Sequence, residues 1–211
     1  MTHTERFIDI SREVDDSTVV FPGDTPFRRS VLLDIDKGDH ITLSTVQSTV
    51  HLATHADGPN HYGAGGRAID EQPIDLYIGR CQVIRVDVAR GSRVGFDDLG
   101  GVDIEAERVL LATGSHPDTS NWNPDFNGLE PDLVDRLSSL GVRLVGIDTP
   151  SVDSADSKDL PAHQRFFAND MAIIEGLELE HVEPGCYELI ALPLRLKGFD
   201  GSPVRAILRC P

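Results

Sequence analysis

Short runs rich in Val, Ile, Leu and Thr recur along the chain, each bounded by Gly, Asp or Pro. They are "VLLDI" (31–35), "ITLSTVQSTV" (41–50), "CQVIRVDVA" (81–89), "RVLLATG" (108–114) and "VRLVGIDTP" (142–150). Runs of this composition between turn residues predict strands. "PLRLKGFDGSPVRAILRC" (193–210) predicts two more, joined by a turn through Gly198, Asp200 and Gly201. Helical periodicity is rarer. "EPDLVDRLSSLGVRL" (130–144) places Leu133, Leu137 and Leu140 at i, i+4 and i+7, with Gly141 as the C-cap. "SKDLPAHQRFFAND" (157–170) predicts a second helix that starts at Ser157 and carries Pro161 in its first turn. Strands dominate and helices intervene, so the expected class is α/β, β-rich, with one domain over residues 1–211.

Composition narrows the classes of function. The 39% hydrophobic and 26% charged residues describe a globular chain that can bury a core. No apolar run approaches the length of a membrane span, and "MTHTERFIDISREVDD" lacks a signal-peptide core, which predicts a cytoplasmic protein. A formal charge of −16, with Lys37, Lys158 and Lys197 the only lysines, argues against nucleic acid and anionic membranes as partners. Cys81, Cys186 and Cys210 are too far apart for a C-x-x-C site, so inert thiols are expected.

The candidate chemistry concentrates in "TVHLATHADGPNHYGAGG" (49–66), where His51, His55, Asp57 and His61 fall within eleven positions. The β-branched run before it brings His51 to the end of a strand. Were that strand to continue, His51 and Asp57 would stand about 20 Å apart, too far for one ion. A continuous helix would turn Asp57 about 200° away from His55. The geometry that works is a strand broken by one turn over Leu52–Thr54, with Asp57 on its exit and Gly58–Pro59 ending regular structure. Two neutral imidazoles and a carboxylate converging in this way suit zinc or a similar divalent ion and leave positions open. "PAHQRFFANDMAIIEGLEL" (161–179) is the best source of further ligands, with His163 on the predicted helix and Glu175 after an apolar run.

The pattern H-x-x-x-H-x-D-x-P-x-H, filled by His51, His55, Asp57, Pro59 and His61, resembles the metal-dependent cyclase-like hydrolases, and among them the bacterial kynurenine formamidases (arylformamidases). "FPGDTPF" (21–27), "IGRCQVI" (78–84), "VGIDTPSVD" (145–153) with "DSKDLPAH" (156–163), "MAIIEGLELEHVEPGCYELIALPLRL" (171–196) and "GSPVRAIL" (201–208) agree in order and spacing, so the resemblance spans nearly the whole chain. It implies a swivelling β/β/α fold, a homodimer and hydrolysis of N-formylkynurenine to kynurenine and formate. It implies two divalent ions, zinc or manganese. One would be held by His51, His55 and Asp57, and the second bridged by Asp57 and completed by His163 and Glu175. His61 would transfer the proton and Phe21 would stack on the aryl ring of the substrate. The chain departs from the formamidases where they commonly carry Trp (here Phe21) and His (here Gln164, and Asn169 or Asp170). With Phe21 and Gln164 expected at the pocket, a cyclic amide such as isatin is the alternative substrate, and a non-catalytic metal-binding protein the alternative class. His116 and Trp122 follow a predicted strand and border the pocket in this reading. His3, His40 and His181 belong to no constellation and are expected at the surface.

Overall fold

The computed structural model describes residues 7–210. Among them the strands are β1 (Phe7–Asp9), β2 (Arg28–Leu33), β3 (Leu43–Gln47), β4 (His55–Asp57), β5 (Ile78–Arg85), β6 (Arg93–Val94) and β7 (Arg108–Ala112). They continue as β8 (Gly128–Leu129), β9 (Leu144–Ile147), β10 (Ala172–Glu175), β11 (Gly185–Ile190), β12 (Gly201–Pro203) and β13 (Ile207–Arg209). Two α-helices, α1 (Pro131–Ser139) and α2 (Pro161–Ala168), lie between them. The class is α/β, as the hydrophobic pattern predicts.

Nine strands form one mixed sheet in the order β1-β13-β11-β5-β7-β9-β10-β4-β12. Its centre, β5, β7, β9 and β10, is parallel, and the flanking strands are antiparallel. The central strands are apolar on both faces, which the parallel arrangement requires. Alternate residues feed two cores: Leu110, Leu144, Ala172 and Ile174 enter one, while Val109, Leu111, Val145, Ile147 and Ile173 enter the other. The second core is closed by Leu133, Val134 and Leu137 of α1 and by Ala162 and Phe166 of α2. Ala56 faces the first core. Its neighbours His55 and Asp57 therefore face the side on which the helices pack.

Several boundaries differ from the pattern. The expected hairpin over 193–210 does not form. Residues 193–200 carry no strand, β12 pairs with β4, and β13 pairs with β1 and β11. Long-range partners outcompete the local turn. Helix α2 begins at Pro161, because Leu160 adopts a left-handed conformation (φ 45°) that stops the helix from extending back to Ser157. Leu140 caps α1 and is exposed, so it does not extend the buried stripe. β2 and β3 form a separate two-stranded hairpin, exposed along its length, with Leu32 71% and Val46 66% exposed. Among the described residues no helix is long and apolar enough to cross a membrane. All three cysteines are free, with Cys81 buried.

Candidate metal centre

The site is built by β4 and its two neighbours. In the antiparallel pairing of β4 with β10, His55 lies opposite Glu175, and in its pairing with β12, Asp57 lies opposite Gly201. Directly paired residues project to the same face, and Asp57, two residues from His55, shares it. His55, Asp57 and Glu175 thus converge by register alone. His163 meets them from α2, on the face that the helices cover.

The strand expected to run up to His51 stops at Gln47, and a strand begins again at His55. The bend predicted over Leu52–Thr54 lies between them. Its pivot is Ala53 in the left-handed region (φ 48°), a conformation that costs a non-glycine residue about 1–2 kcal/mol. Asp57 is the last residue of β4 rather than part of a loop, because pairing with β10 and β12 holds this short segment extended. Two glycines make the close packing feasible. A Cβ on Gly176, itself at φ +66°, would lie 2.0 Å from the Ala53 carbonyl oxygen, and one on Gly201 would lie 2.9 Å from Cε1 of His51.

Two donor groups share Asp57. The first is His55, Asp57 and Glu175, all buried. Nε2 of His55 lies 3.4 Å from Oδ1 of Asp57 and 3.3 Å from Oε2 of Glu175. Nε2 of His163 adjoins this group, 3.5 Å from Oδ2 of Asp57 and 3.6 Å from Oε1 of Glu175. The second group is His51, Asp57 and His61, open toward solvent. Here Nδ1 of His51 lies 3.1 Å from Oδ1 of Asp57. Both His51 and His55 approach Oδ1 of Asp57, whereas His163 approaches Oδ2, so His55 stands between the two groups.

These contacts are not hydrogen bonds. Nε2 of His55 and both carboxylate oxygens of Asp57 are buried without a hydrogen-bond partner among the described residues. Leaving a carboxylate in that state costs several kcal/mol unless a cation accompanies it (roughly 3–5 kcal/mol when a buried pair is broken). A tetrahedral ion with bonds of about 2.0–2.1 Å separates its donors by about 3.3–3.4 Å, close to the separations found here. Nitrogen and oxygen donors of this kind fit a divalent metal ion.

Each of the three histidines nearest Asp57 is fixed by an acceptor on its outer nitrogen. Nε2 of His51 donates to Asp200 (3.1 Å), Nδ1 of His55 to the Ala53 carbonyl (3.1 Å), and Nδ1 of His163 to Asp153 (2.8 Å). Such partners set the tautomer and turn the other nitrogen's lone pair inward. Asp153 also accepts from the backbone N–H groups of Ala162 and His163 at the start of α2, and from Arg93. Burial alone would raise its carboxyl, but His163 and these other donors bring it down to about 2. Glu175 is steadied by the Val152 N–H, 2.7 Å from Oε1. His61 is different. Its Nδ1 lies 3.6 Å from Asp200, beyond hydrogen-bond length, and its side chain is 36% exposed.

The electrostatics follow the same division. Burial disfavours charge on His55 and His163, yet Asp57 and Glu175 around the one, and Asp153 and Asp57 around the other, raise both imidazoles to about 10. Burial works against Asp57 as well, but His163, His51 and His55 hold its carboxyl well below the usual range. His61 goes the other way. Burial lowers it, Asp57 does not compensate, and its ring is neutral at neutral pH.

The donors open into a cavity of about 480 Å³ whose outer wall includes Phe21, His116 and Trp122. Of the residues expected at the pocket, Gln164 is absent from this lining and instead donates to the Tyr62 carbonyl (2.8 Å). Asn169 ties α2 to Asp135 on α1, and Asp170 pairs with Arg67. His40 and His181 are exposed, and His3 lies outside the described residues. Sequence reading missed Asp153 and Asp200. Asp153 precedes His163 by ten residues, and neither hydrophobic period nor ligand spacing marks it as that histidine's partner. Asp200 lies in a segment read as a hairpin turn.

Fold and donors together define an α/β protein with a candidate divalent-metal centre at one side of a mixed sheet. The chain belongs to the Cyclase family, which matches residues 8–154. It is similar to a structure described as a potential metal-dependent hydrolase with cyclase activity (26% identity, 97% of this chain and 98% of the other, TM-score 0.82). It is also similar to a predicted metal-dependent hydrolase from Bacillus stearothermophilus (27% identity, 96% and 97%, TM-score 0.80). An isatin hydrolase bound to the product analogue thioisatinate shares the fold (19% identity, 97% and 92%, TM-score 0.82). The β-rich α/β architecture expected from the cyclase-like resemblance is that of these structures.

Proposed function

We propose that this protein is a metal-dependent amide hydrolase acting on an aryl formamide, N-formylkynurenine, to release kynurenine and formate. The observation that carries the reading is the contrast between partnerless buried donors on β4 and a part-exposed His61 beside them. His55, Asp57, His163 and Glu175 would hold one divalent ion, and His51 with Asp57 a second, zinc or manganese by donor type. A bound divalent ion supplies a water of lowered pKa and polarises a carbonyl oxygen. His61 does the proton work. With Nδ1 turned toward Asp200, Nε2 takes a proton from the attacking water and returns it to the amine nitrogen, which cannot leave as an anion. Phe21, on the cavity wall, contacts the aryl ring.

Opening of a cyclic aryl amide such as isatin is the second reading. It is favoured by the likeness to an isatin hydrolase and uses the same residue roles. Purified protein of known metal content, assayed side by side on N-formylkynurenine and isatin, separates the two. Tight metal binding without hydrolysis of either would leave a metal-binding protein. We also propose a homodimer joined through the β2–β3 hairpin. Its exposed Leu32 and Val46 suit burial against a second copy, and a lone hairpin is marginal in water. Light scattering on the protein and on a Leu32→Asp, Val46→Asp variant tests it, and a monomeric parent protein would refute it. The free thiols accord with a cytoplasmic setting.

A further inference from the structure

Two consecutive residues hold two of the candidate ligands. The Val152 N–H donates to Oε1 of Glu175 (2.7 Å), and the Asp153 carboxylate accepts from Nδ1 of His163 (2.8 Å). Both residues are fully buried. Glu175 comes from β10 and His163 from α2, so this one dipeptide sets the placement of ligands from two separate elements. It belongs to no strand or helix, and its own position depends on what grips it.

The grip comes from the small β6–β8 ribbon, in which Arg93 lies opposite Gly128. β8 runs against the dipeptide. The Leu129 N–H donates to the Val152 carbonyl (2.7 Å), and a Cβ on Gly128 would lie 2.9 Å from that same oxygen. From β6, Nη1 of Arg93 donates both to the Leu129 carbonyl (2.6 Å) and to Oδ1 of Asp153 (2.9 Å). The other oxygen, Oδ2, faces His163 and accepts from its backbone N–H (3.1 Å) as well as from Nδ1. The torsion that turns an aspartate carboxylate is soft and nearly two-fold. A charge-assisted bond on Oδ1 therefore fixes where Oδ2 points, and through it the ring plane of His163. Arg93 does not line the cavity, and its side chain is 23% exposed.

We propose that Arg93 is a positioning residue for the buried half of the metal centre. It acts through Asp153 on His163, and the ribbon it closes holds Val152 against Glu175. The inference rests on the reading of His163 and Glu175 as ligands of one ion. It goes further by making the geometry around that ion depend on a two-stranded ribbon outside the main sheet.

Loading the parent protein and its variants with Co²⁺ gives two readouts other than hydrolysis. Competition with a chelator gives the affinity, and the visible d–d bands follow the coordination geometry. Arg93→Gln should bind Co²⁺ about tenfold more weakly, the lower end of the effect of losing an outer partner, and should shift those bands. Both bonds of Arg93 leave from one nitrogen, so a lysine ammonium with three donors can replace them. Arg93→Lys should therefore recover most of the affinity and the parent spectrum. Gly128→Ala, which pushes on the Val152 carbonyl with Arg93 intact, should also weaken Co²⁺ binding. A purely structural arginine would lower the Tm of the metal-free protein and leave both Co²⁺ readouts at parent values. That result in Arg93→Gln would overturn the proposal. Should Arg93→Gln fail to fold, Gly128→Ala decides, and parental affinity and bands in it overturn the proposal instead. The two readings fail separately. No Co²⁺ binding by the parent refutes the ligand assignment itself, whereas a binding parent with unchanged variants refutes only the role of Arg93.

Discussion

The two donor groups around Asp57 share a carboxylate and little else. His55, Glu175 and His163 are buried, and the outer nitrogens of both histidines are held by acceptors that are themselves fixed. His51 and His61 stand at the mouth. Asp200, which holds His51, is 48% exposed, and His61 has no hydrogen-bonded acceptor among the described residues. The difference teaches how one short segment can serve two purposes. Pairing of β4 on both sides rigidifies the residues that must hold charge at fixed separations. The bend before it and the Gly-Pro turn after it place His51 and His61 nearer the solvent, with side chains 15% and 36% exposed.

Removal of the shared carboxylate should break both halves at once. Asp57→Ala is expected to bind no metal stoichiometrically and to lose hydrolysis by more than about 10⁴-fold, since water activation and carbonyl polarisation go together. Elemental analysis that finds full metal in this variant would end the case for a shared ligand. His61→Ala should separate the halves. Its metal content should match the parent, while kcat falls by about 10²–10⁴-fold, the span typical of a general acid–base group. Metal loss with that side chain would make His61 a ligand.

The outer partners provide a finer contrast. Asp153→Ala should weaken metal binding about 10–100-fold, because His163 loses its orienting acceptor in a buried site. Asp200→Asn should cost less, about threefold, since its carboxylate is half exposed and water can replace it. Equal losses in the two variants, measured by competition with a chelator, would erase the distinction between a buried and an open half. Metal uptake should also release protons. In the metal-free protein the carboxylates around His55 and His163 raise both imidazoles and favour their protonated forms, and a ligand imidazole must be neutral. Calorimetry in buffers of different ionisation enthalpy reads that release, and a buffer-independent heat would contradict it.

Much of this site was legible in the sequence because it is local. His51, His55, Asp57 and His61 lie within eleven residues, and Gly58–Pro59 announces the bend. The apolar run before Glu175 reads as burial, and burial of a carboxylate implies a cation. The hydrophobic pattern also gives the central strands, since a strand buried on both faces is a short Val/Ile/Leu run whatever its neighbours. What stayed hidden depends on distant pairing. β4 and β12 have three residues each and exist only because they pair with each other and with β10. No local propensity marks them, so the sequence alone puts Asp57 on the exit of a turn and Asp200 in a hairpin. Asp153 was missed for the same reason, as its partner is fixed by the packing of α2.

The most direct test is to measure metal content and amide hydrolysis on the same purified sample, before chelation, after it, and after Zn²⁺ or Mn²⁺ is returned. N-formylkynurenine and isatin serve as parallel substrates. The account predicts stoichiometric divalent metal, loss of hydrolysis with its removal, recovery on its return, and faster turnover of N-formylkynurenine. Full activity in demonstrably metal-free protein would contradict it.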